Sequence, residues 1–480
     1  MTRAQQSSIT PPNPDELLTP LISPEALANW VRTFLGLQMP TCRMCDHHDS
    51  PLDYLWASYH EPARDLIVWA PRGGGKTRLA AVATLLDLIH KPPVQVRILG
   101  GSLEQSMKMW EYLLPDLQTH VSDLLLDAGT SRRARLITGS NAAVLAQSQR
   151  AVRGLRVQKL RCDEVELFDP DIWQAAQLTT RSLDTGKGSV RGAIEAISTF
   201  HSAGGLMGRI IDSAPERDAR VLRWCVLDVL APCEPERECA SCPLLPECQG
   251  RAKTRASGFI PIDDAIALKR RVCHDTWETE MLCIRPSVRG RVFPSFNPQL
   301  HVREALNPTS AERAIALAID FGFANPFVCL WIETRGSVCW VIDEYVQQQQ
   351  TMDVHLSQIQ SRAWGKVTRV SCDPAGAGRN DQTASSNAQM LRRAGYVVRH
   401  RPSRIVDGLE QIRAALLSAT GETTLYIHPR CTRLISALKS YRYPDAGGEL
   451  PIKDGTHDHL IDALRYHYAN QDDVWTVRKY

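Results

Sequence analysis

The sequence predicts an α/β protein with a largely parallel sheet in its amino-terminal half and a second sheet in its carboxyl-terminal half. Three observations predict this class. Short apolar runs alternate with helical segments from Asp65 onward. A glycine-rich loop joins the first apolar run to a helix. Three strand-like runs follow one another at the start of the last domain.

Length and composition are those of an ordinary globular protein. The 480 residues correspond to two or three domains of about 150 residues each. Hydrophobic residues make up 43% and charged residues 23%, and the net charge of +3 is too small to indicate nucleic-acid binding by itself. We find no signal-peptide pattern, and the apolar stretch Leu79–Ile89 is shorter than the roughly 20 residues of a membrane span. We therefore expect a cytosolic protein with no membrane association and with reduced thiols.

The texture of the chain changes at several points. A polar lead contains one short amphipathic helix, Pro24–Leu37. Clustered cysteines and prolines interrupt the α/β pattern from Cys225 to Arg251, and the stretch VRGRVFPSFNP is typical of a linker. The predicted segments are a lead (1–50), a first α/β domain (51–224), a Cys-rich segment with a helical lid or linker (225–300), a second α/β domain (305–470) and a tail (471–480).

The first α/β domain begins with the strand DLIVWA, the glycine loop and the helix RLAAVATLLDLIH. Three further apolar runs, QVRILGGS, KLRCDEVELF and AIEAISTF, are the next expected strands. Strands separated by helices favour a parallel sheet, because parallel neighbours need a crossover connection.

The glycine loop, APRGGGKT at residues 70–77, matches the phosphate-binding pattern G-x-x-x-x-G-K-[ST], with alanine in the first glycine place. Glycines let backbone N–H groups approach phosphates, the lysine reaches the β- and γ-phosphates, and the threonine hydroxyl binds Mg²⁺. A glycine turn that binds nothing is the alternative, which the flanking strand and helix disfavour. We therefore expect a P-loop ATPase whose ATP-binding residues are Pro71, Arg72, Gly73, Gly74, Gly75, Lys76 and Thr77.

A pair of carboxylates, Asp163 and Glu164, follows the apolar run Val157–Leu160. At the end of a neighbouring strand, Asp163 would hold Mg²⁺ through a water molecule, and Glu164 would orient the attacking water. A solvated acidic turn is the alternative, because Glu166 and Asp169 follow. The P-loop favours the catalytic interpretation.

Other polar and aromatic residues are weaker candidates for the ATP site. Arg72 is a candidate catalytic arginine facing the γ-phosphate, with Arg153 and Arg156 as alternatives that would otherwise touch DNA or solvent. Ser198 and Thr199 end the next strand, where they would sense the γ-phosphate or simply cap the strand. Two aromatic residues are candidates for stacking on adenine: Tyr54 and Trp56.

The cysteines suggest one metal site. Cys233, Cys239, Cys242 and Cys248 are spaced closely enough for a structural Zn²⁺ site, with an iron–sulfur cluster or four unrelated thiols as alternatives. A second pattern, Cys42-x2-Cys45 with His47 and His48, is weaker, and we do not expect a metal there. The cysteines within predicted strands are expected to be small core residues: Cys162, Cys329, Cys339 and Cys372.

The second α/β domain opens with the strand RAIALAID, followed by FVCLWIE and SVCWVIDEYV with a turn at Arg335-Gly336. A helix, Met352–Trp364, leads to the strand RVSCDP, and a further helix leads to the strand YVVRH. Three antiparallel strands and a crossover helix to a fourth strand are the order of a ribonuclease H-like fold.

Aspartates stand where this fold would gather them. Asp320 and Asp373 end strands, and Asp458 and Asp462 share one helix face at i and i+4. Oxygen ligands suit Mg²⁺ or Mn²⁺, and a carboxylate cluster can hold two ions that activate water. A single strand-end aspartate is usually a cap, so the argument depends on their convergence. His459 is a candidate contact to a ligand or to the scissile phosphate.

Taken in order, these motifs resemble the large terminase subunits of tailed bacteriophages. The resemblance extends from about Pro51 to Tyr466 and rests on PRGGGKT, RGLRVQKLRCDEVELF, AIST, AIDFG, CDPAG and HDHLIDALRY. It implies a DNA-packaging motor in which a P-loop ATPase is joined to a ribonuclease H-like endonuclease that cuts concatemeric DNA.

The resemblance also implies roles for particular residues. Lys76 and Thr77 would bind nucleotide and magnesium, Glu164 would be the catalytic carboxylate beside Asp163, and Arg72 would be a candidate cis arginine. Ser198-Thr199 would couple hydrolysis to movement. The catalytic and metal-binding residues of the nuclease would be Asp320, Asp373 and one or both of Asp458 and Asp462, a choice that the resemblance leaves open.

The implied partners are double-stranded DNA, a portal protein and a small terminase subunit, with a homo-oligomeric ring on the portal. Such a protein works in the host cytoplasm, binds the procapsid portal transiently and is not part of the mature virion. Two alternatives stay open on the sequence: a helicase-like translocase and nuclease of DNA repair, and a scaffold without chemistry, which the intact motif residues disfavour.

Overall fold

The computed structural model describes residues 14–60, 64–126, 132–146, 148, 152, 154, 156–184, 189–200, 205–286, 290–304, 314–362, 364–378, 386–444 and 450–471. These residues form two compact units. Unit 1 contains the described residues up to 200 together with 205–267 and 278–286, and unit 2 contains 268–277 and the described residues from 290 onward.

Unit 1 is built on a seven-stranded sheet. Its strands lie in the order β3-β4-β2-β5-β8-β1-β9, and every neighbouring pair is parallel except the antiparallel edge pair of β3 and β4. Two short strands, β6 and β7, pair separately. The strands are β1 (Leu66–Trp69), β2 (Gln95–Gly100), β3 (Arg133–Arg135), β4 (Asn141–Val144), β5 (Lys159–Asp163), β6 (Leu183–Asp184), β7 (Ser189–Val190), β8 (Ala193–Ser198) and β9 (Arg220–Arg223).

The four strands expected from the sequence are present as β1, β2, β5 and β8, which confirms the prediction of a largely parallel sheet. β9 extends the sheet beyond β1. The helices of unit 1 and of its boundary are α1 (Pro14–Leu17), α2 (Pro24–Leu35), α3 (Pro51–His60), α4 (Lys76–His90), α5 (Leu103–His120), α6 (Pro170–Ala176), α7 (Leu206–Asp212), α8 (Leu245–Cys248) and α9 (Ile262–Arg271).

Local chemistry sets the bounds of the amphipathic helix α2. The Ser23 side chain accepts a hydrogen bond from Ala26 N and caps the first turn, and Pro24 occupies the first helical position. Gly36 ends the helix in a left-handed conformation, with φ +63°. The helix therefore stops at Leu35, two residues before the predicted end. α4, by contrast, is buried along nearly its whole length, because helices of an α/β unit pack directly against the sheet.

Unit 2 contains a six-stranded mixed sheet in the order β14-β13-β10-β11-β12-β15. β10, β11 and β12 are antiparallel neighbours, and β13 is parallel to β10 after a crossover through α12, as predicted. The elements are α10 (His274–Thr276), α11 (Pro298–His301), β10 (Ala314–Asp320), β11 (Phe327–Arg335), β12 (Val338–Gln347), α12 (Met352–Ser361), β13 (Lys366–Cys372), α13 (Asn387–Arg393), β14 (Val398–Arg399), α14 (Ile405–Leu416), β15 (Leu425–Ile427), α15 (Thr432–Ser440) and α16 (Asp458–Ala469).

Both faces of this sheet are covered by apolar side chains. Along β11, Val328, Leu330 and Ile332 belong to the core that contains residues of α14, α15 and α16. Phe327, Cys329 and Trp331 belong to the opposite core, with residues of α12 and α13. Successive strand residues point to opposite faces, so one apolar strand can fill both layers. The stretch expected to be a linker contributes to the first of these cores, where its buried residues are Val292, Phe293 and Phe296.

No helix of the described residues is both long and apolar enough to cross a membrane.

Candidate nucleotide and metal sites

The phosphate loop connects β1 to α4 in unit 1. Gly73 and Gly75 have φ values of +70° and +80°, which L side chains rarely adopt. At Gly74 an added Cβ would lie 2.6 Å from the Cδ of Pro71, so that position also requires glycine. The loop therefore has the compact backbone that a phosphate-binding turn needs.

Two direct contacts join the loop to the carboxylates at the end of β5. The Lys76 ammonium lies 2.9 Å from Glu164 Oε1, and the Thr77 hydroxyl donates to Asp163 Oδ2 at 2.8 Å. β1 and β5 are separated only by β8, and all three are parallel, so their carboxyl ends meet at one edge of the sheet. Glu164 has φ +54°, an uncommon conformation for a residue other than glycine.

Electrostatics at this edge favours a cation. The pKa of Asp163 is raised to about 6: burial and the charge of Glu164 raise it, whereas Lys76 and the Thr77 hydroxyl act in the opposite direction. A divalent cation would stabilise the charges of two neighbouring carboxylates, one of which is buried. Mg²⁺ prefers oxygen donors of this kind. The donor set of Thr77 and Asp163 therefore fits the implied magnesium ion.

The strand-end hydroxyls lie next to Glu164. Ser198 Oγ donates to Glu164 Oε2 at 3.4 Å and accepts a hydrogen bond from Glu166 N at 3.3 Å. Thr199 is buried beside it. Ser198 is thus placed to respond to movement of Glu164.

Arg72 occupies the loop but turns towards Glu280. Its side chain, 67% exposed, pairs with the Glu280 carboxylate, and its backbone N–H donates to Glu280 O at 3.2 Å. Arg156 is exposed, and Arg153 lies outside the described residues. The assignment of the catalytic arginine stays a prediction.

The expectation that Tyr54 stacks on adenine is wrong. Tyr54 is fully buried, its hydroxyl donates to Glu195 Oε2 at 2.8 Å, and its ring stacks on Trp224 at 6.1 Å. Trp56 stacks on His60 of the same helix with ring centroids 4.5 Å apart.

Sequence reasoning also missed a buried ion network beneath the sheet, centred on Arg161. The guanidinium donates to Asp87 Oδ2 at 2.6 Å and to both Glu195 oxygens at 3.1 Å, and all three side chains are almost completely buried. Burial opposes the Arg161 charge, but the adjacent Glu195 and Asp87 carboxylates raise its pKa overall. The network fixes β5, which carries Asp163 and Glu164 at its end.

The four cysteines between residues 233 and 248 of the Cys-rich segment line one small cavity in unit 1. Cys239 also lies close to Gly250, where an added Cβ would be 3.9 Å from the sulfur. Thiol donors are ligands that zinc accepts in tetrahedral geometry, but within the described part of the chain no three of these four sulfurs lie within 4.8 Å of one another. The cavity is lined by Cys233, Cys239, Cys242, Cys248 and seven other residues.

A second group of metal-ligating side chains was not expected. Cys45 and His48 from the lead meet Cys225 and Asp228, which follow β9, with one ligand atom of each within 4.8 Å of the others. The sequence did not predict a metal at Cys45 and His48, and their partners lie 180 residues further along the chain. Cys42 is not in the group, and neither is His47.

The predicted acidic residues of unit 2 converge at one end of the mixed sheet. Asp320 ends β10, Asp373 follows β13, and α16 begins at Asp458 and packs against β10. His459 Nδ1 lies 2.8 Å from Asp320 Oδ2, so this histidine contacts the central aspartate directly. Asp462 Oδ1 accepts a hydrogen bond from Arg465 at 3.0 Å.

The charges of these residues are coupled. The pKa of Asp320 is raised to about 6: burial raises it most, the hydrogen bond from His459 lowers it, and the charges of Asp462 and Asp373 raise it. The pKa of Tyr466 is raised by burial and then by the same three carboxylates. The charges of Asp373 and Asp462 therefore act on Asp320, and all three carboxylates act on Tyr466.

Asp458 differs from Asp462 in its surroundings. It is buried at the start of α16, and its Oδ1 has no hydrogen-bond partner. Such an oxygen is costly unless a donor or a cation satisfies it. Oxygen donors with an unsatisfied member fit Mg²⁺ or Mn²⁺. Within the described part of the chain, however, no three of these carboxylates come within the 4.8 Å that relates Cys45, His48, Cys225 and Asp228.

Part of the chain matches a protein-family model, and solved structures align with most of it. Residues 317–471 match the family model of the terminase RNaseH-like domain. No curated protein matches the chain in sequence.

Several solved structures are similar at low identity. The large terminase of a thermophilic bacteriophage, in complex with ADP, is 16% identical, with a TM-score of 0.49, and the match covers 90% of this chain and 99% of that one. The large terminase of bacteriophage HK97 is 12% identical, with a TM-score of 0.37, and the match covers 91% of this chain and 98% of that one. The nuclease domain of the bacteriophage SPP1 large terminase, with bound Mn, is 13% identical, with a TM-score of 0.28. That match covers 37% of this chain and 97% of the other.

These TM-scores are too low to assign the sites, and the assignment of residues 317–471 rests on the family model. It covers β10 from Leu317, β13 and α16, the elements that carry the four predicted aspartates. Residues 317–471 are therefore a terminase RNase H-like domain, and the resemblance to the large terminase subunits of tailed bacteriophages is confirmed on this part of the chain.

Proposed function

We propose that the chain is the motor and the nuclease of viral DNA packaging. ATP hydrolysis in unit 1 drives translocation of double-stranded DNA into a procapsid, and a metal-dependent endonuclease in unit 2 cuts concatemeric DNA. The observation that carries the proposal is the presence, in one chain, of a phosphate loop in contact with Asp163 and Glu164 and of a terminase RNase H-like domain with coupled aspartates.

In unit 1, the loop backbone and Lys76 bind the phosphates, and Thr77 and Asp163 hold Mg²⁺. The metal, when bound, neutralises charge on the phosphates. Lys76 contacts Glu164 directly, so a γ-phosphate that attracts the Lys76 ammonium frees Glu164 to orient water. Ser198, hydrogen-bonded to Glu164, transmits the change to the end of β8 together with Thr199. Arg72 becomes a catalytic arginine only if its side chain leaves Glu280.

In unit 2, Asp320, Asp373 and Asp462 form the proposed metal-binding set, and Asp458 contributes its unsatisfied oxygen. Divalent ions held by these carboxylates would supply an activated water and would stabilise the leaving oxygen. His459 holds the Asp320 carboxylate in position through its 2.8 Å contact.

The purified full chain tests this proposal when both reactions are measured on one preparation. We expect ATP hydrolysis with Mg²⁺, and plasmid cleavage with Mg²⁺ or Mn²⁺ that stops on addition of EDTA. Lack of plasmid cleavage under all these conditions would overturn the nuclease assignment. Lack of ATP hydrolysis with DNA present would overturn the motor assignment.

A forked duplex distinguishes packaging from DNA repair. A packaging motor moves along duplex DNA without separating its strands, whereas a helicase-like repair enzyme releases a labelled strand. We expect no strand release. Binding to duplex DNA should weaken as salt rises, because phosphate contacts release counterions.

The proposed partners are a portal protein and a small terminase subunit. The active form is a homo-oligomeric ring on the procapsid portal, formed in the host cytoplasm and absent from the mature virion. We also propose that the Cys-rich segment binds a structural Zn²⁺ through its four cavity-lining cysteines.

A further inference from the structure

Two distant segments of unit 1 are joined beside the phosphate loop. Asp49 N donates to Arg223 O at 2.6 Å, and Arg223 N donates to Asp49 Oδ2 at 3.0 Å. These reciprocal bonds hold the lead against the end of β9. The residues on either side of this junction carry the group of Cys45, His48, Cys225 and Asp228.

The donor atoms of this group are close and largely shielded from solvent. Cys45 Sγ lies 3.6 Å from Cys225 Sγ, and His48 Nδ1 lies 2.7 Å from Asp228 Oδ2. His48, Cys225 and Asp228 are buried, and Cys45 is half-buried. Four side chains of three ligand types at one buried point form a built site rather than a surface cluster.

Asp228 organises the site through the backbone. Its Oδ1 accepts hydrogen bonds from Met44 N at 2.8 Å and Cys45 N at 3.1 Å, and its Oδ2 accepts one from Cys225 N at 2.7 Å. The carboxylate therefore holds both thiol-bearing loops at a set separation. Groups that position ligands in this way are typical of metal sites.

We propose that Cys45, His48, Cys225 and Asp228 bind one Zn²⁺ ion. Two thiolates, an imidazole and a carboxylate are all ligands that zinc accepts in tetrahedral geometry. Sulfurs about 2.3 Å from a tetrahedral ion are ~3.8 Å apart, close to the 3.6 Å found here. The His48–Asp228 pair must open from 2.7 Å to about 3.3 Å for both to bind. Soft thiolates favour zinc over Mg²⁺.

The site lies next to the nucleotide-binding residues. Trp224, between β9 and Cys225, donates its indole N–H to Gly74 O at 3.0 Å. Zinc would thus connect the lead, the edge strand β9 and the phosphate loop. The ion is structural and distinct from both the Cys-rich cavity and the acidic site of unit 2.

Zinc content of the purified full chain, with matched cysteine variants, tests the proposal. We expect Cys45→Ser to lose one zinc per chain relative to the unmodified protein, and Cys42→Ser to lose none. Cys239→Ser serves to separate the Cys-rich segment: any zinc bound there is lost in that variant without affecting the Cys45 group. If Cys45→Ser retains the zinc content of the unmodified chain, the proposal is wrong.

A second measurement needs no variant and remains informative if Cys45→Ser does not fold. In the unmodified protein, a chelator should raise the alkylation rate of Cys45 about tenfold or more, because a metal-bound thiolate is withdrawn from reaction. The nearby Cys42 should react at nearly the same rate throughout. Equal Cys45 rates with and without chelator would overturn the site.

Discussion

The Lys76 ammonium lies 2.9 Å from Glu164 Oε1, so the side chain assigned to the phosphates and the one assigned to the attacking water contact each other. Glu164 also accepts a hydrogen bond from Ser198, at the end of the next strand. The three side chains therefore form one connected unit at the edge of the sheet. A change in the partner of Lys76 must alter the position of Glu164 or Ser198.

Glu164→Gln tests the role of this carboxylate in ATP hydrolysis. An amide cannot polarise the attacking water as a carboxylate does, so we expect turnover to fall by about 10²–10⁴. Nucleotide binding should persist, because the loop backbone and Lys76 are intact. Phosphate release and a nucleotide titration measure the two effects. Glu104→Gln, at an exposed position of α5, should leave turnover unchanged; unchanged turnover in Glu164→Gln would move the catalytic carboxylate elsewhere.

Asp373→Ala tests the nuclease in the same chain. Loss of one of the coupled carboxylates should stop plasmid cleavage in Mg²⁺ or Mn²⁺ and spare ATP hydrolysis, because Asp373 belongs to unit 2. Asp353→Ala, at an exposed position of α12, is the matched control and should cut normally. Normal cleavage by Asp373→Ala would refute the acidic site.

The two aspartates of α16 can be distinguished. The charge of Asp462 raises the pKa of Asp320, which indicates that it faces the central carboxylate. We expect Asp462→Asn to reduce cleavage more than Asp458→Asn does, measured as nicking rate over a range of Mn²⁺ concentrations. A larger loss in Asp458→Asn would make the buried, unsatisfied oxygen of Asp458 the principal ligand.

Arg161→Met tests the buried ion network that holds β5. The change leaves Asp87 and Glu195 buried without their common cation, which should cost about 3–5 kcal/mol of unfolding free energy. Arg43→Met, which removes an exposed pair with Asp53, should cost about 0–1 kcal/mol. Urea unfolding of the full chain gives both values. Equal losses in the two variants would show that the network contributes nothing specific.

His467 should make unit 2 sensitive to acid. Burial and, to a smaller extent, the charge of Arg369 lower the pKa of His467 from 6.5 to about 3. Between pH 6.5 and about 3, the folded state therefore binds fewer protons than the unfolded state. The stability that neutral His467 contributes is fully present above pH 6.5 and is lost as the pH falls through this range.

Over this pH range, the unfolding free energy should fall by up to about 1.4 kcal/mol for each pH unit of acidification. His467→Leu removes the titrating group and should flatten the dependence of the urea midpoint on pH. An identical pH dependence in the variant would show that other groups control the acid response.

The parts of the fold that follow from local pattern could be predicted. Apolar runs ending in Asp163, Ser198, Asp320 and Asp373 indicated strand ends, and parallel neighbours bring such ends together. The short strands β3, β4 and β9 were missed because runs such as RAR and RVLR lack the apolar alternation that marks a strand.

Long-range partners could not be predicted in the same way. Cys45 and His48 form a candidate metal site only together with Cys225 and Asp228. No local spacing in the sequence relates residues that are 180 positions apart. Tyr54 was a candidate for stacking on adenine, and nothing in the sequence indicated its actual partner, because a buried glutamate such as Glu195 is an unusual core residue. A sequence shows which side chains can do chemistry, but their contacts depend on the folded chain.

The central claim, that one chain contains two separate catalytic sites, is tested most directly by assaying ATP hydrolysis and metal-dependent plasmid cleavage on the same preparations of the unmodified protein, Glu164→Gln and Asp373→Ala. We predict that the unmodified protein performs both reactions, that Glu164→Gln loses only ATP hydrolysis, and that Asp373→Ala loses only cleavage. An unmodified protein that hydrolyses ATP but never cuts DNA, or a plasmid-cleavage activity that survives Asp373→Ala, would contradict the account.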